Sequence, residues 1–89
     1  MPKKPLLLDI FAIVKLIVMR ELEFTLDTEY IELNKLLKIL ALVESGGQAN
    51  RLIQEGFVRF NGTIDTRKRL KLRQGDKVEF DQTLIKIRS

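Results

Sequence analysis

Apolar residues run almost unbroken through residues 6–19, interrupted only by Asp9 and Lys15. That run is shorter than the roughly 20 apolar residues a membrane span needs. It follows a basic start, as a secretory signal would, but two charges break it and no small-residue cleavage site follows. Its length and scarcity of turn residues predict a helix. Such a helix could dock on the rest of the chain, on a membrane or on a partner. Another reading makes Met19 the natural start, with residues 1–18 an upstream extension and residues 19–89 the domain proper.

The pattern then shortens to period two. Leu22, Phe24 and Leu26 fall on one face and Glu23 and Thr25 on the other, which predicts a half-buried strand. Asp27, Thr28 and Glu29 form a polar turn. Across residues 31–42 the period lengthens to that of a helix, with Leu33, Leu36, Leu37 and Leu40 as the apolar stripe and Ile39 beside it. Lys35 and Lys38 lie three apart on its polar side.

A second helix is marked at both ends. Ser45 is an N-cap, and Gln48, three residues on, completes a capping box by reaching back to the Ser45 amide. Ala49, Leu52 and Ile53 make its apolar stripe, with Arg51 on roughly the opposite side from Ala49. Gly56 is its stop. Residues 57–60 read as a strand with Val58 and Phe60 on one face and Phe57 and Arg59 on the other. Asn61-Gly62 is a strong hairpin signal, because both residues tolerate positive φ, and residues 63–66 supply the returning strand. After a basic run, residues 74–76 form another turn. Residues 77–80 alternate as a strand, Asp81-Gln82 turns, and Leu84, Ile85 and Ile87 belong to the last strand. No internal repeat or low-complexity segment occurs.

Charge sharpens this picture. The chain has 89 residues and a net charge of +4. Residues 45–89 carry ten Lys or Arg against five acids, whereas residues 19–44 carry three against six. Positive charge is thus concentrated in the second half, which suits an anionic partner touching one side. A solvated basic surface is the plainer alternative. Histidine and cysteine are both absent. Histidine-based triads, cysteine nucleophiles, thiolate metal sites and disulfides are therefore excluded. Asp65, Asp76 and Asp81 lie in or beside turns, where capping accounts for them.

The string Ser45-Gly46-Gly47-Gln48-Ala49, then Gly56-Phe57-Val58-Arg59-Phe60-Asn61-Gly62, then Gly75-Asp76, resembles the RNA-binding domain named after ribosomal protein S-four. The likeness covers about residues 29–80 and rests on three separated motifs in the right order. Residues 44–49 and 66–71 look most like its small stand-alone, YbcJ-like ribosome-associated subfamily. Gly46 stands where many members have arginine, and Gln74 where many have proline. The resemblance implies an α+β fold: two short helices packed on a small, mainly antiparallel sheet (the alpha-L RNA-binding motif), here with an extra N-terminal apolar segment.

It also implies a non-catalytic, cytoplasmic protein that binds structured RNA such as rRNA, in association with the ribosome. No cofactor, metal or small-molecule substrate is expected, and no membrane. In the family the second helix and the hairpin face the RNA. The candidate contacts are Lys35, Lys38, Arg51, Arg59, Arg67, Lys68, Arg69 and Lys71. Guanidinium groups suit phosphates because their donors fork in a plane. Aromatic stacking is a lesser expectation: Phe60 faces the core and Phe57 is undecided. Three other readings stay open: an adaptor that uses the apolar N-terminus, a remnant or subunit of an RNA-modifying enzyme, and a duplex-DNA binder using the helix pair.

Overall fold

The structure, a computed structural model, describes residues 20–89. The helix expected within residues 1–18 lies outside the described residues. Among the described residues nine elements follow one another: β1 (Arg20–Thr25), β2 (Ile31–Glu32), α1 (Leu33–Ile39), α2 (Gly46–Gln54), β3 (Val58–Phe60), β4 (Thr63–Ile64), β5 (Lys71–Leu72), β6 (Lys77–Phe80) and β7 (Thr83–Arg88). The fold is α+β, as the resemblance implied. Two helices cover a five-stranded sheet of order β1-β7-β6-β3-β4, and β2 and β5 form a separate two-stranded sheet. All pairings are antiparallel except β1 with β7.

The core is built by the faces that the two periodicities define. From α1 come Leu33, Leu36 and Leu37; from α2, Ala49 and Ile53; from the sheets, Val58, Leu72, Val78, Ile85 and Ile87. Fully burying one such aliphatic side chain contributes about 1.5–3 kcal/mol. Leu36→Ala should therefore cost about 2–5 kcal/mol through lost transfer energy and the cavity left behind.

Both helices end in the same device. At α2 the Gly56 amide donates to the Ile53 carbonyl and the Phe57 amide to that of Leu52, with Gly56 at φ 90°. This is a Schellman motif on the glycine the sequence marks as a stop. At α1 the Ala41 amide donates to the Lys38 carbonyl and the Leu42 amide to that of Leu37, with Ala41 at φ 59°. The motif is the same, but a residue with a Cβ occupies its left-handed position. The two-residue hairpins also match each other: Asn61 and Gly62, and Asp81 and Gln82, all have positive φ.

The structure corrects three local expectations. The helix expected across residues 31–42 is shorter, because Ile31 and Glu32 pair with Leu72 and Lys71. Backbone bonding to a segment distant in sequence outcompetes one more helical turn. The returning strand of the first hairpin stops at Ile64, because the Asp65 side chain turns to the amide of Arg67, 3.0 Å away. Gln48 reaches past Ser45: its Oε1 accepts from the amide of Glu44 at 2.6 Å, while Ser45 Oγ accepts from the Gln48 amide at 3.1 Å. The reciprocal cap thus forms one residue wider than the usual box.

Candidate nucleic-acid interface

The basic loop between β4 and β5 is fixed by main-chain bonds. The free amides at the start of α1 need acceptors, and the loop supplies them. The Leu33 amide donates to the Leu70 carbonyl at 2.9 Å and the Asn34 amide to the Lys68 carbonyl at 3.0 Å. Asn34 also reaches the other helix, donating from Nδ2 to Asn50 Oδ1 at 2.9 Å. Asn34 is therefore the joint of α1, α2 and the loop. Next to it in sequence is exposed Lys35, next to Asn50 is exposed Arg51, and Lys68 belongs to the loop itself. Asn34, which the pattern of charges did not single out, thus links the three segments that bear these cations. The buried Asn34 Oδ1 accepts no hydrogen bond from the described protein atoms. The only hint in sequence is that Asn34 and Asn50 are polar positions beside the apolar stripes of both helices.

The other candidates fall elsewhere. Lys38 is exposed one turn further along α1, and Arg69 is exposed on the loop. Lys71 Nζ lies 4.8 Å from the centroid of the Tyr30 ring, and Arg73 Cζ lies 5.4 Å from it. Tyr30, the sole tyrosine, thus sits under two cations of β5 and its extension, a cation–π arrangement. Arg59 leaves the sheet opposite to buried Val58, on the face away from the helices, and donates to the Gly62 carbonyl at 3.3 Å.

Arg67 is the exception in the basic run. Its fork is already filled: Nε is 3.0 Å from Asp65 Oδ1, and Nη2 is 2.7 Å from Oδ2. Asp65 is 13% exposed against 68% for Arg67. The hydrogen bonds from Arg67 hold the Asp65 carboxyl below its ordinary pKa, against an opposing push from burial. Arg67 is held correspondingly higher, chiefly by the same hydrogen bonds. A guanidinium paired bidentately with a carboxylate has fewer donors left for phosphate. The sequence reading, which left Asp65 to capping, missed this pair; the Asp-x-Arg spacing is the one local signal of it.

At Gly46, where the family often carries arginine, a Cβ would meet nothing within 4 Å. At Gln74, Oε1 accepts from Ser89 Oγ at 2.8 Å. Among the described residues no three His, Cys, Asp or Glu side chains gather as metal ligands would, and no helix is long and apolar enough to cross a membrane.

Two helices on a small sheet, with a basic loop bonded to the start of the first helix, define an α+β domain. The chain belongs to the S4 domain family, whose profile matches residues 24–88. It is 45% identical over 51 residues to the putative RNA-binding protein YbcJ of Escherichia coli (strain K12), across 57% of this chain and 73% of that protein. It is 39% identical over 57 residues to the probable ribosome maturation protein RlbA of Bacillus subtilis (strain 168), across 64% and 80% of the two chains. The solution structure of YbcJ from E. coli superposes with a TM-score of 0.57 at 34% identity, over 80% of this chain and 89% of that one. That structure is described as revealing an alpha-L motif involved in RNA binding.

Proposed function

We propose that this chain is a cytoplasmic, non-catalytic RNA-binding protein that grips structured RNA, and that its RNA belongs to the ribosome or a ribosomal precursor. One observation carries the reading: the basic loop is bonded to the start of α1 and Asn34 to α2, so that the three backbone segments bearing Lys35, Arg51 and Lys68 are tied together. A loop whose backbone is already bonded in place loses less entropy on binding. Folded RNA is read largely through its backbone, 2′-hydroxyls and shape, so cationic donors carried on an ordered backbone are adequate chemistry. Lys38, Arg69 and Lys71 extend the contact, and Arg67 contributes least because Asp65 occupies it. YbcJ and RlbA, named for RNA binding and ribosome maturation, support the class and the ribosomal setting.

The test is direct competition between a structured RNA and duplex DNA for the full chain, repeated at several salt concentrations. RNA should win, and its affinity should fall with salt by a log–log slope of roughly 0.7 per single-strand phosphate neutralised. Replacing Lys35, Arg51 and Lys68 together by alanine should flatten that slope while circular dichroism stays unchanged. Equal slopes for the folded triple variant and the wild type would remove this joint as the RNA site.

A further inference from the structure

Phe57 is 60% exposed, and Ile64 is 51% exposed. Phe57 is two residues before Arg59, so both leave the chain on the side opposite Val58. Arg59 pairs directly with Ile64 across the β3–β4 hairpin. Ile64 therefore shares that face, with Phe57 its diagonal neighbour, a spacing aromatic side chains bridge. A side chain at Gly56 would touch Ile64 Cγ2 at 3.8 Å, which places Ile64 beside the residue preceding Phe57. The result is an open platform of one aromatic ring, one aliphatic side chain and one guanidinium.

Helix termination accounts for only part of it. Phe57 supplies the last amide of the Schellman motif of α2, where an apolar residue commonly packs back on the helix. That contact needs one edge of the ring and leaves most of Phe57 in water. Arg59 forms no ion pair among the described residues, although Glu79 lies opposite it on β6. Its hydrogen bond to the Gly62 carbonyl orients the guanidinium over the turn.

We propose that Phe57 stacks on an unpaired base of the bound RNA, with Arg59 holding the adjoining phosphate and Ile64 covering the edge of the ring. This deepens the proposed function and rests on it. Every base offers a π-face to an aromatic ring, and an adjacent arginine contributes both charge and stacking. The Asn34 joint then grips helical backbone, and the hairpin selects RNA in which a base is free to leave the stack. A fully paired RNA offers only the first contact.

The full chain lacks tryptophan, so Phe57→Trp introduces a single indole reporter. Two probes are needed: a stem–loop with an adenosine loop, and the same stem closed as a perfect duplex. The stem–loop should quench the indole emission and the duplex should not. Phe57→Ala should weaken stem–loop binding about tenfold and leave duplex binding unchanged. Phe57→Tyr should restore it. Wild-type binding to both RNAs with no change in Phe57→Ala would overturn the platform and leave the proposed function standing. An equal loss for both probes would reduce Phe57 to a structural role and overturn it as well. Loss of self-association in Phe57→Ala with RNA binding intact would assign the face to a second copy of the chain. Failure of the wild type to bind either RNA would overturn both proposals together.

Discussion

The Asn61 side-chain amide donates to the Asp76 carboxylate at 3.3 Å and so joins the Asn61-Gly62 turn to the turn at residues 74–76. Asn61 Oδ1 accepts from the Lys77 amide at 2.8 Å, and Asp76 Oδ2 accepts from the Arg73 amide, also at 2.8 Å. Each residue serves its own turn and the other's. Asn61 is thus retained for more than its tolerance of positive φ, and Asp76 for more than solvation.

Asn61→Gly separates those two roles. Glycine adopts the φ of 50° found at Asn61 without strain but makes neither side-chain bond. Net hydrogen bonds contribute about 0.5–1.5 kcal/mol each, so we expect a loss of about 1–2 kcal/mol in urea denaturation. Gly62→Val should cost about 1–3 kcal/mol through strain alone at φ 90°. An Asn61→Gly variant as stable as the wild type would show that the link between the turns adds nothing.

Ala41 and Gln82 are strained, at φ 59° and 58°. A left-handed residue with a Cβ costs roughly 1–2 kcal/mol, whereas glycine there loses part of that gain to its greater freedom in the unfolded chain. Both side chains are exposed, so no packing is lost. Ala41→Gly and Gln82→Gly should each stabilise the protein by about 0.5–1 kcal/mol, additively because the sites are independent. A falling thermal midpoint in either variant would mean that the side chain makes a contact stronger than the strain.

What the sequence shows plainly is whatever a few neighbouring residues decide. Ser45, Gly56 and Asn61-Gly62 each fix a cap or a turn by their own chemistry, and all three occur where expected. The alternation around Val58 correctly separates buried Val58 from exposed Arg59. Less visible are choices made between distant segments. Ile31 and Glu32 carry a helical pattern, yet their backbone bonds go to β5. The parallel pairing of β1 with β7 leaves no local mark. The cations show the same limit: charge density finds the loop, but only the fold shows that the Lys68 main chain meets α1 while Arg59 leaves on the opposite face of the sheet.

Asp65 makes part of the stability pH-dependent. Its folded pKa is depressed, so the unfolded chain takes up the proton first. The contribution is fully present above the ordinary aspartate value of about 3.9 and is lost as pH falls through the lower folded value. Urea midpoints for the wild type and Asp65→Asn should differ at neutral pH and converge under acid conditions. The same substitution releases the Arg67 guanidinium, so RNA affinity at neutral pH should rise while folding stability falls. A parallel drop in both would show that Arg67 acts only through the shape of the loop.

Gly46 offers a gain-of-function test. The position lies at the start of α2, a Cβ there enters open space, and its φ is not in the left-handed region. Gly46→Arg therefore restores the residue many family members carry without forcing the backbone. Arginine improves helix propensity over glycine by less than about 1 kcal/mol, and a cation near a helix N-terminus costs about 0.3–1 kcal/mol. The two effects nearly cancel, so stability should stay within about 0.5 kcal/mol of the wild type. Binding should change much more, because a flexible guanidinium is added on the helix that carries Arg51 and packs on the Asn34 joint. If it meets one phosphate, the log–log salt slope for RNA should steepen by about 0.7, with higher affinity at low salt. Gly46→Gln, similar in length but uncharged, should leave the slope unchanged. A Gly46→Arg slope equal to that of the wild type would place the start of α2 outside the RNA contact.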